Sequence, residues 1–364
     1  MSNVVYFSKM FQAVPHLAQV QTRLPGVFVS NRRSTLKAAS NLYPQMSQKK
    51  YSRLLGPLSA GNRLLSHADV IVTGSPYKSF LKPYSAKKCT VFHGTYMMLS
   101  KEALQSNAHY DLLCVIGPRM QQMIEKYAGD AVLKKIVNTG FLPFCEFPSP
   151  SDALRDSALR SMKLDPAKKT ILYAPSRRGV GSWDKVSESL IRTTPLEYNL
   201  ILRPHPNQAL TSRSADRASF RHIQTIAKNR PNSFLDLTSQ ALPTLLSLID
   251  LIISDANSPA EESLFYDVPQ LFIETDSYSR TYMQKQAKQE GMHPEDTAQL
   301  TSLYDCGPAH YVSESITFDS IIDQAISDAP NYASQRERYF TWVFGSRDRK
   351  ANERVAQAIT THLL

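Results

Sequence analysis

Residues 248–276 read LIDLIISDANSPAEESLFYDVPQLFIETD. The stretch opens on an apolar run, Leu248 to Ile253, whose length and Ile/Leu content fit a strand buried on both faces. Ser254-Asp255-Ala256-Asn257 breaks the run, and Ser258-Pro259-Ala260-Glu261 carries helix-start signals. Ser258 is placed to cap, Pro259 suits the first helical position, and Glu261 can close a capping box. A second apolar run, Val268 to Ile273, follows. Strand, tight turn, helix and strand make one unit of an open parallel sheet. Ligands bind such sheets at the carboxyl edge of the strands, where a helix start offers free N–H groups to an anion such as a phosphate. The plain structural alternative is that Ser258 only caps.

Outward from this stretch the same alternation continues. Toward the N-terminus, strands are expected at Val4–Phe7, Gly26–Ser30, Ala68–Thr73, Lys88–Phe92, Leu112–Ile116 and Lys135–Gly140. Helical patterns are expected at Lys9–Thr22, in part of the basic stretch Lys37–Arg53, and at Met120–Tyr127. Phe144 to Ala153 is rich in Pro and Ser and reads as an interdomain connection. Beyond it, strands are expected at Thr170–Ala174, Tyr198–Arg203 and Phe234–Asp236, ahead of the two already described. Alternating strands and helices argue for parallel α/β units.

The expected fold class is therefore α/β and GT-B-like, with two Rossmann-like domains facing across a cleft and a C-terminal helix crossing back. The boundaries are 1–145 for an acceptor-side domain, 146–335 for a nucleotide-donor domain and 336–364 for the returning helix. Assigning that arrangement from pattern alone is an analogy of fold.

Composition narrows the partners. The 364 residues carry 42 Lys and Arg against 32 Asp and Glu, a formal net charge of +10. That surplus favours anionic partners: phosphorylated substrates, an acidic membrane surface or nucleic acid. No RNP pattern, zinc-finger spacing or long basic run is present, which argues against nucleic acid. The four cysteines, Cys89, Cys114, Cys145 and Cys306, form no CxxC and are expected as buried free thiols in a reducing compartment. The first residues lack a signal-peptide core, and no apolar run approaches the length of a membrane span. A cytoplasmic protein is expected, at most peripheral to the inner face of the cell membrane.

Chemistry-bearing residues collect at predicted strand ends: Phe92-His93-Gly94-Thr95, Ala174-Pro175-Ser176-Arg177-Arg178, Arg203-Pro204-His205-Pro206, and Ser254 to Glu262. Singly, each has a plain reading. His93 can be a turn histidine beside a glycine of positive φ, Arg177 and Arg178 can be solvated, and the prolines can simply end a strand. Their joint placement at carboxyl ends is what points to a site.

The segments FHGT, ILYAPSRR, ILRPHP and DLIISDANSPAEE, in that order, resemble the CDP-glycerol glycerophosphotransferases, which build teichoic acids and related capsule polymers on a GT-B fold. The resemblance runs from about Asp69 to Asp276. It implies a transferase that moves an alditol phosphate, glycerol phosphate first among them, from a CDP-alditol donor to an anionic glycopolymer or lipid-linked acceptor. His93 matches the general base, and His205 matches the histidine that meets the donor pyrophosphate. Gly94, Ser176, Arg178, Arg203, Asp255, Asn257, Ser258 and Glu262 fall at donor-binding positions. The resemblance implies no cofactor and no metal, and the basic surplus suits peripheral contact with an anionic membrane. The chain departs from the pattern at Ala256 and Asn257, which stand where the family has tyrosine and serine, and at Arg177, where a tryptophan is common. The acidic pair Glu261-Glu262 also occurs in nucleotide-sugar enzymes. Two other readings thus stand beside the first: a nucleotide-sugar glycosyltransferase or UDP-sugar epimerase-like enzyme, and a catalytically inactive binding partner of capsule machinery.

Overall fold

The structure is a computed structural model that describes residues 3–52, 54–95, 101–128, 136–210, 213–237, 240–312 and 316–364. It divides into two compact units, 1–146 with 341–364, and 147–340.

In the first unit the strands are β1 (Val4–Phe7), β2 (Val27–Ser30), β3 (Gln48–Lys50), β4 (Val70–Thr73), β5 (Lys87–Thr90), β6 (Leu112–Val115) and β7 (Ile136–Asn138). They form a sheet in the order β3-β2-β1-β4-β5-β6-β7, and every pairing is parallel. Parallel pairing requires helical crossovers, which cover both faces. Accordingly β1, β4 and β6 are buried along their whole length. The core gathers Val4, Tyr6, Phe28, Val70, Val72, Cys89 and Cys114 with Leu17 of the helix Val14–Gln21. Val355 and Ile359 of the last helix, Ala351–Leu363, belong to the same core. That helix packs on Val14–Gln21, β6 and the turn Leu142–Glu146, so the C-terminal helix returns to the first unit.

The second unit contains β8 (Thr170–Tyr173), β9 (Asn199–Leu202), β10 (Ser233–Leu235), β11 (Leu251–Ser254), β12 (Gln270–Glu274) and β13 (Ala309–Tyr311), in the order β10-β9-β8-β11-β12-β13. All pairings are again parallel. In each sheet the order reverses after the first three strands, the Rossmann pattern with its switch point between β1 and β4 and between β8 and β11. Trp183 stacks on Tyr173 at 6.1 Å and meets Phe220 edge-on at 5.5 Å, so this indole is part of the core.

Two edge strands depart from the expectations. Lys49 and Lys50 lie in β3, where a partly helical stretch is expected, and β13 is an addition. Arg53, at the end of that stretch, and Lys135, at the start of β7's expected run, lie outside the described residues. Among the described residues the four cysteines are free, with Cys89, Cys114 and Cys306 buried. No described helix is long and apolar enough to cross a membrane.

Candidate functional site

In the first unit, β5 ends at Thr90 and the chain turns sharply into His93. Phe92 sits in the left-handed region at φ 51°, and Gly94 follows at 73°. A non-glycine residue there costs about 1–2 kcal/mol, and such strain gathers at functional positions. The turn aims His93 at the loop after β4. Its Nδ1 lies 2.5 Å from the carbonyl oxygen of Gly74 and 2.7 Å from Ser75 Oγ. A carbonyl can only accept, so Nδ1 carries the proton, and in the neutral ring Nε2 keeps its lone pair. Burial lowers the His93 pKa, and the Gly74 bond opposes that only in part. Ser75 is fixed in turn, because its carbonyl accepts from Tyr110 Oη at 2.5 Å and from Thr73 Oγ1 at 3.1 Å.

In the second unit, the β8 and β11 ends are tied together at the switch point. Asp255 is fully buried, and its carboxylate accepts from Ser176 N at 2.6 Å, Ser182 N at 3.1 Å and Ser182 Oγ. Burial raises the Asp255 pKa to about 6 in spite of these three donors. Ala256 follows in the left-handed region at φ 54°. Asn257 then donates from Nδ2 to the carbonyl of Ala174 at 2.8 Å, while its Oδ1 is buried with no hydrogen-bond partner among the described residues.

The helix begins one residue earlier than the sequence suggests. Asn257 is the residue at the N-cap and Ser258 the first helical residue of Ser258–Ser263; no side chain caps the end. The expected capping box does not form either, because Glu261 is buried and accepts from Tyr339 Oη.

β9 brings Arg203 and His205 to the same edge. Arg203 is buried, and its Nη1 donates to Asp236 Oδ2 at 2.5 Å and to the carbonyl of Gln240 at 2.8 Å. Its charge is thus compensated within the fold, with Glu262 close enough to contribute electrostatically. His205 Nδ1 is buried without a partner among the described residues. Burial, then the charge of Arg177, lowers the His205 pKa to about 4, so its ring is neutral at pH 7. Arg178 joins the β8 and β9 loops. Its N–H donates to Gln208 Oε1 at 2.7 Å, and its guanidinium pairs with Asp216 at 3.0 Å and Asp184 at 3.2 Å.

Ser176, Arg178, Asp255 and Asn257 are therefore brought together around one strand edge, with Arg203 and His205 on the neighbouring strand. His93 and Gly94 occupy the equivalent edge of the other unit. Three contributors were not singled out from sequence: Ser75, Ser182 and Tyr278, whose hydroxyl hydrogen-bonds with Ser176. The Gly179-Val180-Gly181-Ser182 run was a signal for Ser182, since a small-residue loop after a strand marks close backbone approach. Among the described residues no cluster of three or more His, Cys, Asp or Glu is placed to hold a metal ion.

Two parallel sheets of this strand order, with a terminal helix returned to the first, define the GT-B class of fold. Within it, the chain is similar to the wall teichoic acid polymerase TagF, at 14% identity over 99% of this chain and 88% of that one, with a TM-score of 0.65. It is also similar to Anabaena HepE in complex with UDP and glucose, at 15% identity over 99% and 100% of the two chains and a TM-score of 0.57. A third similar structure is a glycosyltransferase from Rickettsia africae, at 13% identity, 100% and 98% coverage and a TM-score of 0.55. No protein-family model and no curated protein matches the sequence. At such identities the likeness is one of fold.

Proposed function

We propose that the chain is a transferase that moves an alditol phosphate, glycerol phosphate foremost, from a CDP-alditol to a hydroxyl of a glycan or polyol-phosphate acceptor. The observation that carries this reading is the Gly74–His93 bond, which leaves Nε2 as a lone-pair acceptor on a ring that burial keeps neutral. In the proposed step Nε2 takes the proton of the acceptor hydroxyl as that oxygen attacks the donor's β-phosphorus. The bond from phosphorus to the bridging oxygen breaks, and CMP departs with the electron pair. A base with a pKa below neutrality is already unprotonated at pH 7, as the step needs.

The second unit supports donor binding through its own edge. The buried, partnerless Nδ1 of His205 and Oδ1 of Asn257 are polar atoms that burial penalises until a ligand meets them. Being neutral, His205 would serve as a single hydrogen-bond donor to the departing phosphate rather than as a cation. Ser176, Ser258 and Arg178 would meet the pyrophosphate, Gly94 would let the acceptor approach His93, and Glu262 would lie toward the rest of the donor. Arg203 and Asp255 would act by holding the β9 and β11 ends in place, since both side chains are already engaged.

Assay of CMP release from CDP-glycerol with a glycerol-phosphate acceptor tests this reading. His93→Ala is expected to lose turnover while the thermal shift caused by CDP-glycerol persists. Turnover of a UDP-sugar with release of UDP, and none of CDP-glycerol, would overturn it.

A further inference from the structure

Residues 73–77 form the loop that grips the His93 ring, and one buried phenol shapes that loop. Tyr110 lies just ahead of β6 and is fully buried. Its Oη donates to the carbonyl of Ser75 at 2.5 Å and lies 2.5 Å from Thr73 Oγ1. The backbone of Tyr77 hydrogen-bonds to the same oxygen. A single atom thus meets Thr73, Ser75 and Tyr77 together. The loop's far end has a second tie, because Tyr77 Oη accepts from the N–H of Lys9 at 3.1 Å, beside the end of β1. Between the tied positions sit the two groups that face His93 Nδ1, the Gly74 carbonyl at 2.5 Å and Ser75 Oγ at 2.7 Å.

The other side of the His93 turn has its own brace. Arg119, fully buried in the helix Pro118–Tyr127, donates from Nη2 to the carbonyl of Thr95 at 2.6 Å. Tyr110 and Arg119 flank β6, so one strand supports the turn from both sides. Arg119 anchors the backbone after the ring, and the 73–77 loop sets how the ring itself is turned. Nδ1 carries its proton toward Gly74, so Ser75 Oγ can only accept from it; the Ser75 hydroxyl proton has Met10 Sδ at 3.8 Å as its acceptor. Two oxygens therefore face one N–H. In the neutral ring they fix the tautomer. Once Nε2 has taken a proton the same oxygens face a cation, and charge-assisted hydrogen bonds are the stronger kind.

We propose that Tyr110 and Ser75 are positioning residues for His93: Tyr110 shapes the 73–77 loop, and Ser75 Oγ with the Gly74 carbonyl keeps the ring proton on Nδ1, so that Nε2 stays the accepting nitrogen. The inference rests on the reading of His93 as the base. Both residues act through the imidazole. Without the Tyr110 hydroxyl the Ser75 carbonyl loses a donor and the loop relaxes. The ring is then free to hold its proton on Nε2, where it cannot receive one from an acceptor hydroxyl.

The test uses the full chain with isotopically labelled histidine. Ring-nitrogen chemical shifts at neutral pH tell a protonated nitrogen from one with a lone pair, and the His93 signals are those lost in His93→Gln. The parent is expected to carry the proton on Nδ1. Tyr110→Phe, which removes one oxygen and no carbon, and Ser75→Ala are each expected to populate the Nε2–H form. In CMP release from CDP-glycerol each should lower kcat by about tenfold or more with KM within about twofold, since a wrong tautomer costs turnover and not binding. Tyr43→Phe is the control. It removes another buried phenol oxygen of the same unit, one that donates to Glu146 at 2.8 Å, and is expected to lower the melting temperature while leaving the His93 shifts and kcat as in the parent. A parent ring protonated on Nε2, His93 shifts that stay put in both variants, or a kcat loss no larger than that of Tyr43→Phe would overturn the proposal. Absence of CMP release by the parent would instead strike the transferase reading, and the ring shifts, which need no substrate, would still decide whether Tyr110 and Ser75 set the tautomer.

Discussion

The carbonyl oxygen of Gly74 lies 2.5 Å from Nδ1 of His93 and so decides which nitrogen of the neutral ring carries the proton. The contact depends on the absence of a side chain at Gly74. A Cβ there would come within 2.6 Å of Ala13 Cβ and 3.5 Å of His93 Cβ. Gly74→Ala is expected to lower kcat by about 100-fold with His93 itself intact, because a small displacement of a base from its proton is costly in rate. The measurement is CMP release at saturating CDP-glycerol; kcat within twofold of the parent would contradict it.

Gly181→Ala tests the loop that closes over Asp255. The added Cβ would overlap Asp255 Oδ2 and come to 2.8 Å from Ser176 Cβ, with a buried carboxylate unable to move aside. A stability loss of about 1–3 kcal/mol is expected, typical of overpacking. Urea titration provides the value, and a midpoint unchanged from the parent would refute the close approach.

Asp255→Ala removes the acceptor of three buried donors, Ser176 N, Ser182 N and Ser182 Oγ. Each orphaned group carries its desolvation penalty, so a loss of about 3 kcal/mol or more is expected. Asp255→Asn should recover part of it, since an amide oxygen still accepts. A loss below about 1 kcal/mol in the alanine variant would show that the loop finds other acceptors.

Acid stability isolates a buried imidazole. Burial, then the charge of His93, lowers the His16 pKa to about 3, against an ordinary value near 6.5. Between those values the unfolded chain binds a proton that the fold refuses. The stability contributed by neutral His16 is present above pH 6.5 and is lost as pH falls toward 3. Asp255 works in the other sense. Its pKa is raised to about 6, so its contribution is full below the ordinary carboxylate value and fades as pH rises through 6. His16→Phe should therefore flatten the acid limb by roughly 1 kcal/mol per pH unit below pH 6. Urea unfolding at several pH values checks this, and parallel limbs for parent and variant would contradict it.

Much of the fold is legible because buried parallel strands are written as apolar runs. VVYF, VIVT, LLCV, TILY, NLIL and LIIS are buried throughout. The edge strands β3 and β13, reading QKK and AHY, are three residues long and largely exposed. Their pairing comes from a neighbour's free backbone edge, which no side-chain pattern announces. The strand-end positions of His93, His205 and Asp255 follow from the same apolar runs. What stayed hidden is the partner set. Nothing in the spelling SPAEE says that Glu261 turns inward to Tyr339, or that Asn257 takes the position read for Ser258. Those outcomes depend on residues distant in sequence.

The helix Ala351–Leu363 supplies Val355 and Ile359 to a core whose members outside that helix lie between Val4 and Cys145. On the ribosome, residues 1–146 must wait for residues 341–364, which belong to the same unit. Residues 147–340 are complete and free to fold while the preceding unit still lacks a wall. Synthesis and folding thus run in opposite order here, and a message that stops short of residue 351 would release a finished second unit attached to an unfinished first one.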